Sequence, residues 1–162
     1  MTADRVEWAG LEAAVPPDVL VALDTSALLA YLSGREAASP AASWLLDARI
    51  GAGRNPAVIS SLTVAELLVR PFRAGSAAVA TVEGFLQFFG EIRIADVTYA
   101  VAREAARIRA ATGLGMPDAL VMATAVEHGA AVLATNDARW VSAAEAPGLP
   151  VRIVRLGAFS DR

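Results

Sequence analysis

The chain contains no cysteine and no lysine, one histidine, and only 6% aromatic residues among 162. Without cysteine there is no disulfide framework and no thiolate metal site, and the cytoplasm is the expected location. Long hydrophobic runs are missing too. The composition is 56% apolar, yet segments such as Leu120-Val121-Met122-Ala123 belong to runs far shorter than the roughly 18 residues a membrane-spanning helix needs. The first 20 residues mix acids, a tryptophan and Pro16-Pro17, without the basic start and apolar core of a secretory signal. A basic surplus is absent as well. The net charge of −3 argues against holding nucleic acid by broad phosphate neutralisation. All 14 basic residues are arginine, whose planar fork suits phosphate better than a lysine point charge, although a GC-rich coding bias accounts for the arginine and alanine content together.

What is present is a regular alternation. The length fits one domain with a sizeable core. Residues 1–18 read as an N-terminal extension and 19–159 as the domain. Val19-Leu20-Val21-Ala22-Leu23 is an apolar run of strand length that stops at Asp24, and a helix over 26–34 follows. A second helix is expected over 41–50, opened by Ser39-Pro40 and closed by Gly51. Residues 57–60 form the next short strand, followed by a helix over 63–70 that Pro71 should end. A helix over 75–89, a strand at Ile92 and Ile94, and a helix capped by Asp96 or Thr98 come next. Pro117 opens a further helix to His128, and residues 131–134 and 151–154 are the last strands. Short apolar strands alternating with helices specify a three-layer α/β/α sandwich around a five-stranded parallel sheet.

That architecture gathers acids. In right-handed βαβ units each strand ends, and each helix begins, at the same sheet edge, where open α/β folds bind ligands. Asp24 ends the first strand, and Asp137 lies just beyond another. Glu66 and Asp118 are expected in the first turns of helices that start at that edge. Clustered carboxylates either protonate or share a cation. Oxygen ligands without His or Cys select hard ions, so Mg²⁺ or Mn²⁺ is the expected occupant. His128 falls at the far end of its helix, away from that edge.

Each acid also has a purely structural alternative. Asp24 could cap the first helix, and Thr63-Val64-Ala65-Glu66 matches a capping box. Asp118 would be favoured by the helix dipole wherever it served, and Asp137 could be an ordinary turn aspartate.

At these residues the chain resembles the PIN-domain family, in particular the VapC-type toxins of toxin–antitoxin pairs. The resemblance rests on four motifs in register over 19–159: Leu23-Asp24-Thr25-Ser26-Ala27-Leu28, Ser61-Leu62-Thr63-Val64-Ala65-Glu66-Leu67, Pro117-Asp118-Ala119-Leu120 and Thr135-Asn136-Asp137. It implies a PIN-like fold and a Mg²⁺- or Mn²⁺-dependent endoribonuclease that cleaves RNA with a metal-activated water. Asp24, Glu66, Asp118 and Asp137 would serve as catalytic metal ligands, assisted by Ser26 and Thr135. It further implies a homodimer and a cognate antitoxin protein. Arg70 and Arg73 are candidate RNA phosphate contacts, with solvated surface arginines as the alternative. Two other readings stay open: a catalytically silent module of the same fold used for binding or assembly, and an RNA-processing nuclease outside a toxin–antitoxin system. The extension 1–18 is longer than such toxins usually carry.

Overall fold

A computed structural model of the chain describes residues 7–140 and 148–160. Five short strands form one sheet: β1 Val21–Leu23, β2 Ala57–Ser60, β3 Ile92–Ala95, β4 Val132–Thr135 and β5 Arg152–Arg155. Neighbours are all parallel, in the order β3-β2-β1-β4-β5. The five-stranded parallel sheet read from the sequence is therefore present, with β4 and β5 each one residue later than expected. β1 begins two residues later than expected, and the Val19 carbonyl ahead of it accepts from the Asn55 side chain at 2.9 Å.

The helices are α1 Trp8–Ala14, α2 Thr25–Ser33, α3 Ser39–Ser43, α4 Ser61–Ala74, α5 Ser76–Phe88, α6 Tyr99–Thr112 and α7 Met116–Glu127. Successive side chains on a strand point to opposite faces, and the core divides accordingly. Val21, Leu23, Ala57, Ile59, Val132 and Ala134 pack with α1 to α4, whereas Ala22, Val58 and Leu133 pack with α6 and α7. This is the expected three-layer sandwich. None of its described helices is long and apolar enough to cross a membrane.

The strand order carries a functional consequence. From β1 the chain steps outward through β2 to β3, and then β4 and β5 are laid down on the other side of β1. The direction of winding thus reverses between β1 and β4, and the crevice beyond the carboxyl ends of those two strands is where such sheets bind ligands.

Three local features differ from expectation. Helix α4 runs through Pro71 to Ala74. Proline removes one donor to the preceding turn, but its own carbonyl still accepts from the Gly75 amide at 3.0 Å, so the last turn persists. The expected helix over 41–50 is α3 followed by a π-helical turn, Trp44–Ile50, in which the Gly51 amide reaches the Leu46 carbonyl at 2.7 Å. The widened turn brings Leu45, Leu46, Arg49 and Ile50 inward together. Within the segment expected to precede the fold, residues 1–6 lie outside the described part, and α1 packs onto the core with Leu11 and Val15 fully buried. Burying two such side chains contributes roughly 1.5–3 kcal/mol each. Arg49 fastens this segment, donating to the Val15 carbonyl at 2.9 Å and to Asn55 at 3.0 Å, while Asn55 donates to the Pro16 carbonyl at 2.8 Å.

Candidate active site

Asp24 leaves the end of β1 and stands at the cap position of α2, yet its side chain makes no cap hydrogen bond. Its Oδ2 instead accepts from Ser26 Oγ at 2.6 Å and from Thr135 Oγ1 at 2.8 Å. Those hydroxyls lie 3.1 Å apart, and each also accepts a backbone amide: Asn136 N donates to Ser26 at 2.8 Å, and Asp137 N donates to Thr135 at 3.0 Å. The end of β1, the start of α2 and the end of β4 are thereby locked around one carboxylate oxygen. Asp24 is 6% exposed and Thr135 is fully buried. A buried network with its donors and acceptors matched is rigid.

Glu66 approaches from the next strand–helix unit. Helix α4 starts two residues earlier than expected and is capped by Ser60, whose Oγ accepts from Leu62 N at 3.2 Å. Glu66 therefore lies in the second turn rather than the first, and the Thr63–Glu66 capping box does not form. The Glu66 carboxylate accepts from the Thr25 hydroxyl instead. Among the described residues the Thr63 hydroxyl is buried without a partner.

Asp118 is the third residue of α7, in its first turn, and is half-buried. Burial pushes its carboxyl above the ordinary carboxylate range; nearby Arg139 opposes the rise, and Asp24, Asp137 and Glu66 add to it. The four acids lie near enough to repel one another at this position.

Asp137 follows β4 by two residues. Its Oδ1 accepts from the Arg139 backbone amide at 2.9 Å, so the turn-aspartate role is real. The Arg139 guanidinium grips the same carboxylate, with Nε 2.8 Å and Nη2 2.5 Å from Oδ2. That hydrogen-bonded pairing holds Asp137 below the usual carboxylate range.

Asp24, Glu66, Asp118 and Asp137 all line one open cleft of about 850 Å³. Ser26, Arg70 and Arg73 line it too, and Thr135 supports Asp24 from beneath. Sequence reasoning missed Thr25, Glu36 and Arg139 among the lining residues, and Asn136 beside them. Asn136 donates to Glu36 at 3.1 Å, and a Cβ at Gly157 would meet its Oδ1 at 2.8 Å. Glu36 had no local signal, because its partner lies 100 residues away. Arg139 had one: an arginine two residues from an acid in a turn. The cleft walls carry five carboxylates against three guanidiniums. His128 is at the opposite end of α7 from Asp118, with its Nδ1 3.2 Å from Arg93 Nη2.

Whether these residues suit a divalent ion turns on donor type and disposition. The donors are all oxygens, carboxylates with supporting hydroxyls, and a cleft with surplus negative charge favours a hard cation. Among the described residues no three acid or histidine side chains converge into a finished cage. Glu66 is engaged by Thr25 and Asp137 by Arg139. The chemistry of the donor set fits such an ion.

Comparison with known proteins accords with this arrangement. The family model for the PIN domain matches residues 21–146, and the chain belongs to the PIN-domain family. No curated protein sequence matches it significantly. Among solved structures, it resembles a toxin–antitoxin complex from Klebsiella pneumoniae, with a TM-score of 0.63 and 24% identity over 84% of this chain and 97% of that one. DNA-bound VapBC from Salmonella typhimurium gives 0.59 and 23%, covering 85% and 98%. VapC20 of Mycobacterium tuberculosis, described as a sarcin–ricin loop cleaving toxin, gives 0.61 and 20%, covering 82% and 98%. These likenesses establish the shared fold.

Proposed function

We propose that the chain is a divalent-cation-dependent endoribonuclease acting as the toxin of a toxin–antitoxin pair. The observation that carries the reading is the set of four carboxylates lining one cleft at the reversal of the sheet, in a chain of the PIN-domain family. The resemblance to VapBC assemblies and to a sarcin–ricin loop cleaving toxin supports it.

Bound in the cleft, Mg²⁺ or Mn²⁺ would supply Lewis-acid polarisation of the phosphodiester and an acidified water. The protein's part is positional. Ser26 and Thr135 fix the plane of the Asp24 carboxylate, and Thr25 orients Glu66 across from it. Burial pushes the Asp118 carboxyl up, and a bound cation would offset the neighbouring acids and favour its ionised form. Arg70 and Arg73 stand on the same cleft to meet RNA phosphates, which lets a net acidic chain act on RNA through local positive potential. A cognate antitoxin is the protein partner in this reading, and a homodimer the assembly.

The test is cleavage of total RNA by the purified protein with Mn²⁺, with chelator, and as the Asp24→Asn variant. RNA cut at the same rate in all three would refute the reading. Calorimetric titration with Mn²⁺ separates the enzyme from a silent module, which would bind no ion.

A further inference from the structure

The outer side of the cleft contains a contact that its proposed chemistry does not explain. A carboxylate intended for a cation is gripped by an arginine of the same chain, through Nε and Nη2 at once. The Arg139 backbone amide also bonds to Asp137, so the two residues are tethered in one turn. The next residue, Trp140, is fully buried among α6 and α7, which fixes the backbone of that turn. The Arg139 side chain itself is 76% exposed. A largely exposed ion pair contributes little net free energy. Arg139 lines the same cleft as Asp24 and Asp118.

We propose that Arg139 is a resident counter-ion of the acid cleft: it competes with the divalent cation for the Asp137 carboxylate and, once exchanged off it, contacts the RNA phosphate. This rests on the metal-dependent nuclease reading and adds a residue to it. With Arg139 on Asp137, the cleft's positive side is spent on its own acid. When a cation replaces it, the guanidinium is left beside the phosphate path already flanked by Arg70 and Arg73. One side chain then serves as a neutralising partner before loading and as a substrate contact after it, and a planar fork suits both roles.

The experiment is Mn²⁺ titration by calorimetry of metal-stripped parent, Arg139→Ala and Arg139→Gln, repeated in an Asp137→Asn background, together with steady-state RNA cleavage. Both Arg139 variants should bind Mn²⁺ roughly two- to fivefold more tightly than the parent, the range expected for removing a partly exposed ion pair. That gain should vanish in the Asp137→Asn background, and KM for RNA should rise more than kcat falls. Unchanged or weaker Mn²⁺ binding in both variants overturns the assignment, as does a gain that persists without the Asp137 carboxylate. A parent that binds no Mn²⁺ sinks the nuclease reading and this assignment together, whereas equal binding by parent and variants sinks only the latter.

Discussion

The inner and outer sides of the cleft are built differently. Asp24 is 6% exposed and held by two hydroxyls from separate elements. Asp137 and Glu66 face the open side and are held by single residues, Arg139 and Thr25, with Arg139 mostly in solvent. Matched hydrogen bonds in a low-dielectric setting preorganise a group, while exposed pairs leave it exchangeable. The inner side presents a fixed carboxylate, whereas the outer carboxylates are held by more exposed partners.

The contrast can be broken at several depths. The most disruptive change is Trp140→Ala, which empties the site beneath the outer turn. A stability loss of about 3–5 kcal/mol is expected, read from urea denaturation. An unchanged midpoint would show that the turn is not anchored there. Asp24→Asn removes the inner ligand itself and should cut RNA cleavage more than about a hundredfold with the fold preserved, since a metal site supplies several kcal/mol of transition-state stabilisation. Residual activity within a few fold of the parent would mean the pinned side is not the catalytic one. Thr135→Val takes away one of the two hydroxyls and should lower Mn²⁺ affinity or activity about 10- to 100-fold, the range for residues that orient a metal ligand. An equal loss from Thr25→Val, on the outer side, would erase the distinction.

The smallest effect concerns Asp118 and pH. Its folded pKa lies above the ordinary value near 3.8, so the folded state binds the proton more tightly than the unfolded state. The associated stability is fully present below that ordinary value and is lost as pH rises through the folded pKa. At neutral pH without metal the ionised group is therefore a modest liability, and Asp118→Asn should raise the denaturation midpoint in chelator. With Mn²⁺ the order should reverse, because the variant loses a ligand. A variant less stable than the parent in chelator would contradict the sign.

Much of the fold could be read from the sequence because parallel strands buried on both faces leave uninterrupted apolar runs. Residues 57–60 were located to the residue, and Asp24 was placed correctly at the end of β1. Propensity rules misjudged Pro71, which costs little in a last turn whose remaining carbonyl is satisfied. The π-helical turn is not legible either; it buries Arg49, whose guanidinium bonds to the Val15 carbonyl 34 residues away. At the site, backbone position was legible but side-chain partners were not. Glu66 makes no capping-box bond with Thr63, its structural alternative, and is engaged by Thr25, 41 residues away. Asp137 kept its local turn bond and gained Arg139. Contacts spanning that much chain are set by packing, which single-sequence patterns do not encode.

The bond from Thr135 to Asp24 closes a loop of 111 residues. Contacts so distant form late, after the intervening chain has been ordered. During synthesis the growing chain exposes Asp24 and Glu66 long before Thr135 and Asp137 have been made. On the nuclease reading proposed above, this ordering is a safeguard: an unfinished polypeptide still on the ribosome carries the parts of a blade without the hinge that aligns them.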